Sequence, residues 1–538
     1  MAVSKSIEGG SLGGVWFAPS IFLIVHPRSL QTSRTVWGQN FASVTRHDSE
    51  LETHSKKVEA VKVKVKNMLL EYSTRELTEN IQFINLLCRL GVSYHFEDEI
   101  NEQLHRIFIM LPKLLEDNDY ELCTLANLFR ILRQYGYKMT CDVFEKFKSG
   151  DGEFKKDITN DVEGLICLYE ACFLAVPGED ILDEALAFTR KYLEILAENS
   201  SPHLEKHIRN TLINPSHRTT ERLNAFHYIS FYEKDESANE TLLKFAKLDY
   251  NALQLLYKKE LAILSRWWKN SNAVENLPYA RDRHIEAYMW SLGAVFEPQY
   301  SMSRMLLSKY VAVATPLDDF YDTYGTVDEI KLLTTQLQRF TVDDSDELPE
   351  YIKSLCKLVF ELAENVNDEG CSCKATFAKE MLKELSIGLH NEAIWRKEKK
   401  APSFDEYLRN GKVTCGYEAF TSAFLLGAEN MGMDEILWVR NDPEMVVGAK
   451  LHARFLNDIS GVRKEPMILI PLGTHDPNPT RNLKPNITPN RKHDILIQGI
   501  TTNLHLDLNP PENITDESMT VPDEQTSPSA SKSPPQGN

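Results

Sequence analysis

Several classes of protein are excluded by what this chain lacks. It has no long hydrophobic run: the stretch near the N-terminus, Val15 to Val25, contains Pro19 and is too short to cross a bilayer. That stretch also lacks the basic flank and small-residue cleavage site of a signal peptide, and Glu8 is out of place in a transit peptide. Residues 1–33 are therefore expected to be a poorly ordered extension, and the protein cytoplasmic, with no membrane partner. Positive charge is scarce, with 60 Lys and Arg against 78 Asp and Glu and a net charge of −18. No basic stripe emerges, which argues against nucleic acid as a partner. The nine cysteines are odd in number and carry no metal-finger spacing, so reduced thiols are expected. Period-two alternation is rare and no Asn-Gly joins two such runs, which disfavours a sheet. No short-period repeat suggests a solenoid.

What the chain does have is helical periodicity. From about Ser49 to Leu456 the apolar residues recur at i, i+3, i+4 and i+7, as in Leu122 to Leu132 and Leu253 to Leu264. The fold class is all-α, built of many antiparallel helices. A length of 538 residues suits two domains and a tail. The polar stretch Glu233 to Glu240 precedes a long apolar helix and places a boundary there, giving helical domains over 34–240 and 241–465. The composition then changes. After Phe455 there is no Phe, Tyr or Trp, and 12 of the 24 prolines lie from Pro466 onward. Residues 466–538 cannot bury enough apolar surface to offset their chain entropy and are expected to be disordered.

The chemistry concentrates at the end of one apolar helix, Ser308 to Leu317, which runs into Asp318-Asp319-Phe320-Tyr321-Asp322. Carboxylates at the end of a buried helix are costly unless a cation meets them. Asp318 and Asp322 share a helix face, and oxygen-only ligands suit Mg²⁺, usually shared with substrate phosphates. Downstream, Asn457, Gly461 and Glu465 follow at four-residue steps. Gly461 supplies no oxygen, so a water would complete that shell, and Pro466 disfavours helical geometry at Glu465. Upstream, Arg281 and Arg283 flank Asp282; guanidinium forks match phosphate oxygens. Trp290 and the pair Trp267-Trp268 offer aromatic faces to a cation. Taken singly, each element has a plain reading as solvated helix end, surface ion pairs or core packing. Their order in one helical chain sets them apart.

The stretches Ser265-Arg-Trp-Trp-Lys, Leu277-Pro-Tyr-Ala-Arg-Asp-Arg283, Phe296-Glu-Pro-Gln-Tyr-Ser301 and Asp318-Asp-Phe-Tyr-Asp-Thr-Tyr-Gly325 together resemble plant class I terpene synthases of the sesquiterpene type. Val36-Trp37-Gly38 resembles the Trp-Gly that opens their N-terminal domain, and the likeness covers about residues 34 to 461. The resemblance implies an N-terminal relic α-barrel and a C-terminal catalytic bundle. It implies Mg²⁺, with Mn²⁺ as an alternative, held by Asp318, Asp319, Asp322, Asn457, Gly461 and Glu465. Arg281, Arg283 and Arg454 would face the diphosphate, Trp290 would line the pocket, and Thr414-Cys415-Gly416 falls at a helix break. The implied substrate is farnesyl diphosphate, bound by a monomer and converted to a sesquiterpene.

Four departures qualify that reading. The tandem Arg expected ahead of Trp37 is missing, which leans towards a C15 substrate, and no Asp-x-Asp-Asp occurs in the N-terminal half, which removes protonation-initiated chemistry. Pro316, two residues before Asp318, removes a backbone donor and is expected to kink the helix. After Gly461 the likeness fades, so the C-terminal segment is expected to be aberrant and the pocket to lack its lid. Linear alcohols, or an impaired remnant that only binds diphosphate, are the alternative outcome.

Overall fold

The computed structural model describes residues 40–43, 48–341, 348–364 and 372–462. Trp37, Glu465, the N-terminal extension and the tail 466–538 lie outside the described residues. Within them the regular structure is helical, and β pairing is confined to one isolated bridge between Lys148 and Phe154. No described helix is long and apolar enough to cross a membrane.

The helices form where the sequence supplies both an apolar face and a start signal. Leu122–Gln134 buries Leu122, Leu125, Leu128, Phe129 and Leu132, which share one helical side. Pro202–Ile213 opens with proline in its first turn, and the Ser201 hydroxyl accepts from the Leu204 N–H. The Asp161 carboxylate accepts from the Gly164 N–H at 2.9 Å to start Val162–Cys172.

Two large cores result. One runs from Val58 through Leu87, Phe129 and Phe144 to Ala252; the other gathers Trp268, Tyr310, Phe320, Leu355, Met381 and Phe424. The 31-residue helix Glu240–Asn270 belongs to both: Leu242, Phe245 and Ala252 pack in the first core and Trp268 in the second.

A buried ion pair ties that long helix to Ser301–Asp319, the helix that carries the Asp motif. Arg304, fully buried, donates to Glu260 from Nε at 2.8 Å and from Nη2 at 2.7 Å. Tyr288 and Ser301 hydroxyls also donate to Glu260, and Arg304 Nη1 reaches the Val295 and Glu297 carbonyls at 3.0 Å. A charge pair survives at such depth only when every donor and acceptor is matched, as here. Gly427 lets the helix Tyr417–Gly427 come flush against this one, since a Cβ there would lie 2.4 Å from the Ser303 backbone nitrogen.

Candidate active site

Pro316 leaves Ser301–Asp319 helical to its end, but the chain then widens into a π-helical turn, Phe320–Tyr324. The Gly325 N–H closes that turn on the Phe320 carbonyl at 2.8 Å. The helix runs unbroken through Pro316, so the wider turn begins only after Asp319, and Asp322 sits inside it. Wide turns of this kind occur often at functional sites.

The three carboxylates have different surroundings. Asp319 is buried and accepts from Arg281 three ways: from the backbone N–H at 2.9 Å, from Nε at 2.8 Å and from Nη2 at 2.6 Å. Asp318 is more open, with Arg281 Nη2 at 3.6 Å. Its carboxyl is pushed well above the usual range, first by desolvation and then by the charges of Asp322 and Asp319. Arg281 offsets this only in part. Asp322 accepts from Arg396 Nη2 at 2.8 Å, and its backbone carbonyl accepts from Arg396 Nη1 at 2.5 Å. Arg281 thus engages both carboxylate oxygens of Asp319.

Asp282 fixes the loop that brings Arg281 to the carboxylates. Its Oδ1 accepts from the Trp268 indole at 3.1 Å and lies 2.7 Å from His284 Nδ1, which pins the loop to the helices Glu240–Asn270 and His284–Ala294. Arg283 lies against the Asp282 carbonyl and, at 3.7 Å, Glu286. Trp290 is half-buried and packs on the second core. Trp268 therefore serves as an anchor, while Trp267 faces the Lys309 ammonium at 5.2 Å.

The second motif lies on the helix Glu444–Val462, with Asn457 exposed and Gly461 in its last turn. Arg454, one turn before Asn457, is held by Asp458, by Tyr407 at 3.0 Å, by Glu392 at 3.3 Å and by Thr414 at 3.4 Å. Thr414 ends the helix Phe404–Thr414, and Gly416 then takes φ +73° before the next helix begins; glycine suits that left-handed position. The expected helix break is present, and Thr414 also donates to Glu392 at 2.6 Å.

Glu392 bonds to Arg454 and Thr414 beside the second motif. Sequence reading missed Glu392 and Arg396. They stand four apart near the end of Ser372–Lys397, yet each bonds to a different motif rather than to the other. That spacing on a helix beside two motifs was the available signal. No group of three or more His, Cys, Asp or Glu among the described residues is already arranged around a metal position. The donors still fit a hard divalent cation: like-charged carboxylate oxygens, partly desolvated and with arginine as their counter-charge. A cleft of about 320 Å³ on the bundle's flank, lined by Lys331, Thr334, Gln338, Arg339 and His390, shares no residue with this cluster.

Together these observations describe a helical bundle with a carboxylate cluster against which Arg281 and Arg396 are packed. Residues 36–212 match the family profile "Terpene synthase, N-terminal domain" and residues 269–468 match "Terpene synthase family, metal binding domain". The chain is 56% identical over 429 residues to terpene synthase 5 of Ricinus communis, covering 79% of this chain and 78% of the relative. It is 42% identical to the chloroplastic casbene synthase of the same plant, covering 79% and 72%. Among solved structures it is similar to grey poplar isoprene synthase in complex with three Mg²⁺ ions and dimethylallyl-S-thiolodiphosphate. That match has a TM-score of 0.68 and 31% identity, and covers 80% of this chain and 81% of the other. A limonene synthase with 2-fluorolinalyl diphosphate gives a TM-score of 0.70 at 28% identity, covering 78% and 79%. The chain belongs to the terpene synthase family, and it is a lyase of that family.

Proposed function

We propose that the protein is a Mg²⁺-dependent sesquiterpene synthase that ionises farnesyl diphosphate and cyclises the product. The carrying observation is the gathering of Asp318, Asp319 and Asp322 at the end of one helix with Arg281 and Arg396 against them; desolvation first, and then the neighbouring carboxylates, raise the Asp318 carboxyl. Mg²⁺, or Mn²⁺ with the same oxygen preference, would be held by Asp318, Asp322, Asn457 and Glu465 and would supply positive charge for diphosphate departure. Asp319 holds Arg281 in place. Arg281, Arg283 and Arg454 present guanidinium forks to the diphosphate oxygens as the allylic C–O bond breaks and its electron pair leaves with the oxygen. Trp290 and the apolar wall of the second core keep water from the allylic cation and stabilise its charge. The C15 preference rests on the missing tandem Arg near Trp37. We place the catalytic unit at residues 241–465, after an N-terminal helical unit 34–240, in a cytoplasmic monomer.

A second reading rests on the sequence after Gly461, where the family likeness fades. Without a lid, water would capture the cation and yield linear alcohols. Product analysis by gas chromatography and mass spectrometry, after incubation with farnesyl diphosphate and Mg²⁺, decides between them. A cyclic hydrocarbon or alcohol, reduced about 10²–10³-fold in Asp318→Ala, is expected. Only linear alcohols would favour the second reading, and no volatile from folded protein would overturn both.

A further inference from the structure

Arg396 makes a contact at the Asp motif to which the proposed chemistry gives no role. It lies in the last turn of Ser372–Lys397, 74 residues beyond Asp322, and grips that residue twice, at its carbonyl and at Oδ1. Asp322 belongs to the π-helical turn Phe320–Tyr324 and not to the regular helix before it. A carboxylate in such a turn takes its direction from whatever holds the turn. At the other end of the motif, Arg281 holds Asp319 through backbone and side chain alike. Two arginines from distant parts of the chain thus fix the two ends of one five-residue motif.

We propose that Arg396 is a positioning residue for Asp322. This rests on the metal-binding reading above. By bonding the carbonyl and the carboxylate of the same residue, the guanidinium fork fixes both the turn and the side-chain rotamer. Asp322 therefore meets an arriving divalent cation in one geometry, together with Asp318. Supporting partners of this kind are a general requirement for well-defined metal ligands. An ammonium cannot bond both oxygens in the same way, so lysine is an incomplete substitute. The positive charge of Arg396 opposes cation binding, but its side chain is 42% exposed and solvent screens that repulsion. The opposite role, a guanidinium that competes with the metal for Asp322, carries the opposite sign in experiment.

The test compares wild type with Arg396→Gln, Arg396→Lys and Lys397→Gln. Lys397 is exposed and its loss removes the same charge one residue away. Two quantities are read: the rise in melting temperature on adding Mg²⁺ with inorganic diphosphate, and the Mg²⁺ concentration giving half-maximal turnover. Arg396→Gln is expected to raise that concentration roughly tenfold and to shrink the thermal shift. Arg396→Lys should recover part of both, and Lys397→Gln should match wild type. Melting without ligand should be alike in all four, showing that each variant folds. An unchanged or lowered Mg²⁺ requirement in Arg396→Gln overturns the proposal, as does an equal effect of Lys397→Gln. If wild type itself shows no shift with Mg²⁺ and diphosphate, the metal-binding reading falls first and this inference with it.

Discussion

Two clusters of charge lie at opposite ends of the same helix, Ser301–Asp319, and they are built on opposite principles. At its start, Arg304 meets Glu260 in a balanced pair whose remaining bonds go to Tyr288, Ser301 and two carbonyls. At its end, three carboxylates face the guanidiniums of Arg281 and Arg396, and Asp318 is crowded by its own kind. The first arrangement is complete and belongs to the fold. The second is left electrostatically unfavourable, as expected of a site whose completing charge arrives with a ligand. One helix thus carries a structural anchor at its start and the proposed metal site at its end.

Substitutions at the two ends should separate these roles. The largest effect is expected at the anchor. Glu260→Ala leaves Arg304 buried without a counter-charge and should cost about 3–5 kcal/mol. That would appear as a fall in melting temperature on the order of 10 °C. Replacing both partners together, as Glu260→Met with Arg304→Leu, should cost much less, because a matched apolar pair leaves no orphaned charge. If the double variant is as unstable as the single one, the balance of the pair is not what matters.

A smaller effect is expected where the fold meets the site. Asp282→Ala removes the acceptor of the Trp268 indole and frees the loop that carries Arg281 and Arg283. Stability should fall by about 1–3 kcal/mol, and KM for the prenyl diphosphate should rise more than kcat falls. The last effect is confined to acid pH and vanishes at neutrality. His207 stacks on Phe231 with ring centres 3.9 Å apart, and its pKa is lowered to about 3 by desolvation and then by Arg89 and His203. The folded protein therefore keeps this imidazole neutral below the ordinary histidine value of about 6.5. Stability linked to it is complete above about pH 6.5 and is lost as pH falls towards 3, since the unfolded chain takes the proton first. His207→Phe should flatten that part of the stability profile, as read from urea midpoints across pH.

The parts of this site legible in the sequence are the local ones. Asp318 and Asp322 are related by helix spacing, and Arg281 and Arg283 by a single intervening residue, so both are visible as motifs. The helical periodicity around Leu122–Gln134 was visible for the same reason. What stayed hidden depends on packing between distant segments. Asp282 reads as one acid between two bases, but its partners are an indole and an imidazole on neighbouring helices. Glu392 and Arg396 read as an ordinary amphipathic helix, and only the packing of Ser372–Lys397 against the site gives them Arg454 and Asp322 as partners. Asp319 was grouped with the metal ligands because spacing cannot reveal that Arg281 would occupy its oxygens. Pro316 reads as a helix breaker, yet it sits inside an unbroken helix, and the wide turn that follows at Phe320–Tyr324 has no local signal in the sequence.

The contrast between anchor and receptor is tested most directly by melting wild type and Asp318→Asn, each with and without Mg²⁺ and inorganic diphosphate. Relief of like-charge crowding should leave Asp318→Asn at least as stable as wild type when no ligand is present. Ligand should then stabilise wild type, by about 2.7 kcal/mol at a hundredfold excess over its dissociation constant, and leave the variant nearly unmoved. A variant less stable than wild type without ligand, or one stabilised equally by Mg²⁺ and diphosphate, would contradict the assignment of this cluster as a receptor.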